Sequence, residues 1–152
     1  EELRAAVPAE EWPPAVNQIE MNPFLFRPDT LAYCRAHGIA VQAYRTLAMH
    51  RDLRGLEHPQ VVRVASETGR TPSQIMNRWV VQHGVAALPK SASRARVAEN
   101  ADVFGFSLTA EQMHALDTVV PASERAAAEE RWMASVYAGS VANVKEPPPQ
   151  QP

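Results

Sequence analysis

Three short runs of extended-favouring residues, at 15–21, 39–44 and 85–88, are separated by helix-length segments. This alternation is the strongest constraint on the fold. Pro13-Pro14 and Asn22-Pro23 bracket the first run and set its ends as a strand. Residues 29–37 then read as a helix, with Leu31 and Cys34 on one face and Gly38 as its stop. After the second strand, residues 45–57 read as a polar loop without periodicity. Pro59 opens a helix that ends at Gly69, and Thr71-Pro72-Ser73-Gln74 is a capping box for the next, closed by Gly84. Ile75, Met76, Trp79 and Val80 form its apolar stripe. Residues 85–88 are expected to be a short buried strand. Strands alternating with helices are parallel and joined by crossovers, which makes the fold α/β.

Downstream, Ser93 opens a helix reaching about 103. Thr109 and Gln112 form a second capping box for residues 109–120, with Met113, Leu116 and Val120 on the apolar face. Residues 123–137 suit one more helix, carrying Trp132, Met133 and Tyr137 roughly on one side. A plain packing role suits Trp132 and Tyr137 better than lining a substrate pocket. The expected organisation is a main body at 1–120, an extra helix or terminal segment at 121–140, and a disordered proline-rich tail at 141–152. The first residues, Glu1 to Ala6, read as the end of a helix already under way, so a longer protein is expected.

Each strand ends in residues that a core would not choose: Gln18 and Glu20, then Tyr44, then Lys90 and Ser91. In parallel α/β folds, sites form at the carboxyl ends of strands. The third end leads through Lys90, Ser91, Ser93, Arg94 and Arg96 into a helix N-terminus. Unpaired N–H groups and the positive end of the macrodipole favour an anion there, and lysine and arginine add charge and bidentate donors. The expectation is a phosphate pocket. A formal net charge of -2 argues against general nucleic-acid binding. No apolar run approaches the ~18 residues of a membrane span, and nothing in residues 1–4 resembles a signal peptide. The lone Cys34 excludes an intrachain disulfide and fits a reducing compartment, so the cytoplasm is expected. The five histidines show no metal-ligand spacing.

With these residues in hand, the chain resembles the C-terminal part of an aldo-keto reductase. Those enzymes are (β/α)8 TIM barrels that reduce carbonyls with a nicotinamide cofactor, usually NADPH. The resemblance runs from about Leu3 to Val120. Four stretches carry it in order: Ala15 to Glu20 with Asn22-Pro23, Val41 to Tyr44, Thr71 to Trp79, and Pro89 to Asn100. It implies an incomplete barrel of about three parallel strands with their helices. It also implies that Gln18 hydrogen-bonds the nicotinamide carboxamide and that the ring stacks on Tyr44. The resemblance further implies that Arg45 and Leu47 lie where the pyrophosphate should run. Lys90, Ser91, Ser93 and Arg96 match the cluster around the adenosine 2′-phosphate, which NADP carries and NAD lacks. Glu99 and Asn100 match the adenine contacts.

Two departures matter. The family commonly follows the tyrosine with serine-proline-leucine, whereas this chain has Arg45-Thr46-Leu47. The family's catalytic Asp, Tyr, Lys and His belong to the N-terminal half of the barrel, so no catalytic residue is assigned and the chain alone is expected to be inactive. The leading expectation is the cofactor-binding half of an NADPH-dependent reductase of aldehydes and ketones. The alternatives are a non-catalytic NADP-binding or regulatory protein, or a non-functional fragment. Three strands of a barrel leave two open edges and a wet inner face, at Val16 and Ala40 among others, so the N-terminal half or another covering partner is expected.

Overall fold

The computed structural model describes residues 2–50 and 53–140. Its centre is a three-stranded parallel sheet of β1 (Val16–Glu20), β2 (Ala40–Tyr44) and β5 (Ala86–Leu88), in the order β1-β2-β5. The register sets Gln18 against Gln42 and Glu20 against Tyr44, and Tyr44 in turn against Leu88. The three carboxyl ends are therefore level. Helix α1 (Glu2–Ala6) precedes the sheet, α2 (Pro28–Ala36) links β1 to β2, and α3 (Pro59–Thr68) and α4 (Pro72–Gln82) link β2 to β5. Helices α5 (Arg94–Ala101) and α6 (Ala110–Asp117) follow.

Side chains alternate across a strand, so each face of the sheet has its own composition. Ile19, Val41 and Ala43 point to the helices, where they join Leu31, Cys34, Val61 and the stripe of α4 in one buried cluster. Val16, Gln18, Ala40, Gln42 and Ala86 line the other face, and Val16 remains 45% exposed. The wet inner face is thus observed. Trp79, the largest fully buried side chain, donates its indole N–H to Asp117 Oδ1 at 2.8 Å, and His83 Nε2 meets the same oxygen at 2.9 Å. One carboxylate thereby satisfies a buried indole and ties α6 to α4.

Two expectations need correction. The third strand is not buried: Val85 is, but Ala86 and Leu88 are exposed, because β5 is a sheet edge and both turn to the open face. The loop at 45–57 is also partly ordered. It holds an antiparallel pair of two-residue strands, β3 (Met49–His50) and β4 (Leu53–Arg54), then a 3-10 turn over Gly55–Glu57. The hairpin closes on Gly55, where a Cβ would fall 2.6 Å from that of Ala48. Such short strands carry too few residues for a periodicity to show.

A second unit begins at Pro121, and its described part is α7 (Ala122–Ser140). The Tyr137 side chain and the expected disorder at 141–152 lie outside the described residues. Among the described residues no helix is long and apolar enough to cross a membrane.

Both capping boxes form. Thr71 and Thr109 accept from the backbone N–H of Gln74 and Gln112, whose side chains reach back to the cap N–H groups. Thr109→Ala removes one such bond at an exposed site. It should lower unfolding free energy by about 1 kcal/mol in urea titration, with Thr109→Ser close to the parent. An alanine variant as stable as the parent would remove the cap from the account of α6.

Candidate functional site

The site is built from strand ends. Gln18 lies exposed on the open face of β1 and donates to Gln42 Oε1 at 3.0 Å. Two residues on, in the same alternation, Glu20 faces Tyr44 across the register. Leu88 completes that row, and Lys90 follows it, exposed. A hollow of about 310 Å³ opens beside these ends, lined by Arg45, Thr46, Leu47, Ala48, Pro89 and Lys90. Gln18 and Tyr44 thus share a sheet face, and Arg45, Leu47 and Lys90 share a cavity.

Helix α5 supplies the anion-attracting element. Ser93 caps it by accepting from the Arg96 N–H at 3.5 Å, while Ser91 Oγ accepts from the Ser93 N–H at 3.1 Å. No acidic residue lies in the first turn, and Arg94 and Arg96 are exposed. The positive end of this helix is therefore uncompensated from within its own turn.

Several partners were not foreseen. Arg45 Nη1 donates to Glu20 Oε2 at 3.0 Å, and Glu20 is only 1% exposed. Arg45, with a left-handed φ of 52°, thereby has its cation turned back to β1, its guanidinium carbon 5.9 Å from the Tyr44 ring centroid. The Tyr44 phenol is pushed up from its usual value, chiefly by burial and then by the Glu20 charge, with Arg45 and Arg27 opposing. It stays neutral at physiological pH, as suits an aromatic platform. Glu99 Oε1 accepts from Thr71 Oγ1 at 2.6 Å and also from Ser73 Oγ. These two hydroxyls, with a smaller contribution from Arg96, hold its carboxyl below the usual range against the opposing effect of burial. Asn100 is buried, and its Oδ1 accepts from Asn77 at 3.2 Å. A larger cleft of about 560 Å³, lined by Trp12, Val16, Tyr33, Cys34 and others, lies at the start of β1 and takes no part in this rim.

Residues 1–121 match the aldo/keto reductase family. This chain belongs to that family. It is 36% identical over 117 residues to the uncharacterized oxidoreductase YtbE of Bacillus subtilis, covering 77% of this chain and 41% of YtbE. The crystal structure of a Gox0644 mutant in complex with NADPH superposes with a TM-score of 0.68 at 33% identity, over 77% of this chain and 41% of that one. A Bombyx mori aldo-keto reductase in complex with NADP gives 0.64 at 31% identity, over 69% and 36%. The chain spans about two-fifths of the length of YtbE, and its open three-stranded sheet matches part of the family's barrel structures.

The Glu99 contacts generate a pH signature. A carboxyl whose value is lowered on folding stabilises the fold above its unfolded value of about 4.3, and that contribution vanishes as pH falls through the lowered value. The parent should therefore unfold at a higher temperature than Glu99→Gln near neutral pH, with the two converging in acid. A difference independent of pH would mean that the Glu99 charge contributes nothing to this tie between α4 and α5.

Proposed function

We propose that this chain is the dinucleotide-binding part of an NADPH-dependent aldo-keto reductase acting on aldehydes and ketones. The observation that carries the proposal is the junction of β5 and α5. There a capped helix start with no acidic residue in its first turn, an exposed lysine and two exposed arginines follow the end of a strand level with Tyr44.

The residues fit the cofactor. Lys90, Ser91, Ser93 and Arg96 supply the charge-assisted donors that a 2′-phosphate needs. Both hydrogen bonds to Glu99 fall on Oε1, which leaves Oε2 to accept from the adenine amine. Gln18 offers a terminal amide with donor and acceptor ends to the nicotinamide carboxamide. Tyr44, a neutral ring at the strand end, is the stacking face. Leu47 and the backbone of Arg45 border the hollow for the pyrophosphate, while the Arg45 cation answers Glu20. Bound NADPH supplies a hydride to the carbonyl carbon, and the chain's residues orient its ring for that transfer.

The proton for the developing alkoxide needs a separate donor, and Tyr44 is unsuited because its phenol is raised and its ring is the platform. The family's Asp, Tyr, Lys and His set is assigned to no residue of this chain. The chain by itself is accordingly proposed to bind NADPH without turnover, and reduction requires the rest of the barrel.

Titration of the chain with NADPH, followed by tryptophan fluorescence, should give saturable binding. Arg96→Ala should weaken NADPH about tenfold or more while changing NADH less than about twofold, the loss of one charge-assisted contact to the 2′-phosphate. Equal weakening of both nucleotides would overturn the 2′-phosphate assignment. Absence of NADPH binding up to millimolar concentrations would overturn the site.

A further inference from the structure

A buried polar chain crosses the helix layer behind the proposed nucleotide site. Thr46 Oγ1 donates to Asn77 Oδ1 at 2.7 Å, and Asn77 Nδ2 donates to Asn100 Oδ1 at 3.2 Å. Thr46 and Asn77 have no solvent exposure, and Asn100 has 7%. The three residues belong to three elements: the loop after β2, the middle of α4, and the last turn of α5. Asn77 interrupts a run of buried apolar neighbours, Ile75, Met76, Trp79 and Val80. A buried amide among such residues is stable only when its polar atoms are paired, and here one amide is paired at both ends.

The two ends of this chain abut different parts of the nucleotide site. Thr46 lies between Arg45 and Leu47, and all three line the 310 Å³ hollow. Asn100 follows Glu99 on α5, the helix whose start carries Ser93 and Arg96. Thr46 also stands where the family pattern has a proline, whose ring would hold the backbone and could offer no hydroxyl. Its hydroxyl fixes this loop to α4, beside the ties that Arg45 makes to Glu20 and Asn22. Arg45 and Ala48, on either side of it, both have left-handed backbone angles, 52° and 48°, so the turn is held in an unfavourable conformation by its surroundings.

Building on the proposed NADPH site, we infer that Asn77 is a positioning residue that couples the pyrophosphate loop to the adenine end through Thr46 and Asn100. It touches no part of the nucleotide. Its amide fixes the loop and α5 relative to one another, so loosening one end lets the other shift. Buried, fully paired networks behave as units in this way.

The test uses adenosine 2′,5′-bisphosphate, which has the adenine and the 2′-phosphate but neither the pyrophosphate nor the nicotinamide. Thr46→Val keeps the shape of the side chain and removes only the hydroxyl at the loop end. Coupling predicts that Thr46→Val weakens the bisphosphate roughly threefold or more, and that Thr46→Val with Asn77→Leu together are no weaker than Asn77→Leu alone. A hydroxyl with only a local role in the loop leaves the bisphosphate affinity within about 1.5-fold of the parent, and that result overturns the inference. If Asn77→Leu fails to fold, Thr46→Val carries the test alone. Amide hydrogen exchange over residues 97–101 reads the coupling without any nucleotide. Thr46→Val should speed it there, and unchanged exchange overturns the inference. A parent chain that binds neither NADPH nor the bisphosphate instead overturns the function proposed above, and the exchange measurement still decides the coupling.

Discussion

Parallel pairing of β1, β2 and β5 in one register is the constraint on which the rest depends. Because Glu20, Tyr44 and Leu88 stand in one row, the loops leaving each strand start at the same end of the sheet. A slip of one residue in β2 would turn Tyr44 and Gln42 into the helix layer and bring Val41 and Ala43 to the open face. The buried cluster forbids that exchange, since Val41 and Ala43 already pack against α2 and its neighbours. The apolar residues thus fix the register, and the register places the polar ones. Packing on one face of the sheet determines the chemistry on the other.

That division also explains why the open face looks unfinished. Among the described residues, every helix with buried apolar residues lies on the side of Ile19 and Val41, and the opposite side has Val16 at 45% exposure and Leu88 at 40%. Gln18 donates to Gln42 there, a single hydrogen bond that forms without any covering layer. Glu20 is the exception, a carboxylate on this face at 1% exposure, and Arg45 folds back to answer it. The result is a sheet whose strand ends are organised while its middle remains wet, the form expected of part of a barrel.

Much of this was legible from local signals. Prolines marked the ends of β1, the capping boxes of α4 and α6 formed as written, and Ser93 began α5. The polar strand ends were readable because a strand end is a short-range feature, and the register sets them level. What stayed hidden is long-range: Arg45 to Glu20 spans 25 residues, Thr46 to Asn77 spans 31, and Thr71 to Glu99 spans 28. Such pairs exist only once the register and the helix crossings are set. Thr46 and Asn77 each look like ordinary polar residues, and only the replacement of the family's proline by threonine hinted that this loop is held by other means.

Glu99 illustrates how a fold and a proposed binding site share one group. Its Oε1 accepts from the Thr71 and Ser73 hydroxyls at the start of α4, so the carboxylate is oriented before any nucleotide arrives. Thr71 at the same time caps α4 by accepting from the Gln74 N–H at 3.3 Å. A side chain held at one oxygen loses little further freedom when the other is used, and that lowers the entropic penalty of binding. The capping box of α4 therefore reaches beyond helix stability. It sets the position of the carboxylate proposed to read adenine, just as Ser93, by capping α5, sets the N–H groups proposed to meet the 2′-phosphate. In both cases the residue that begins a helix would also define where the proposed ligand sits, and Glu99 ties the start of α4 to the second half of α5.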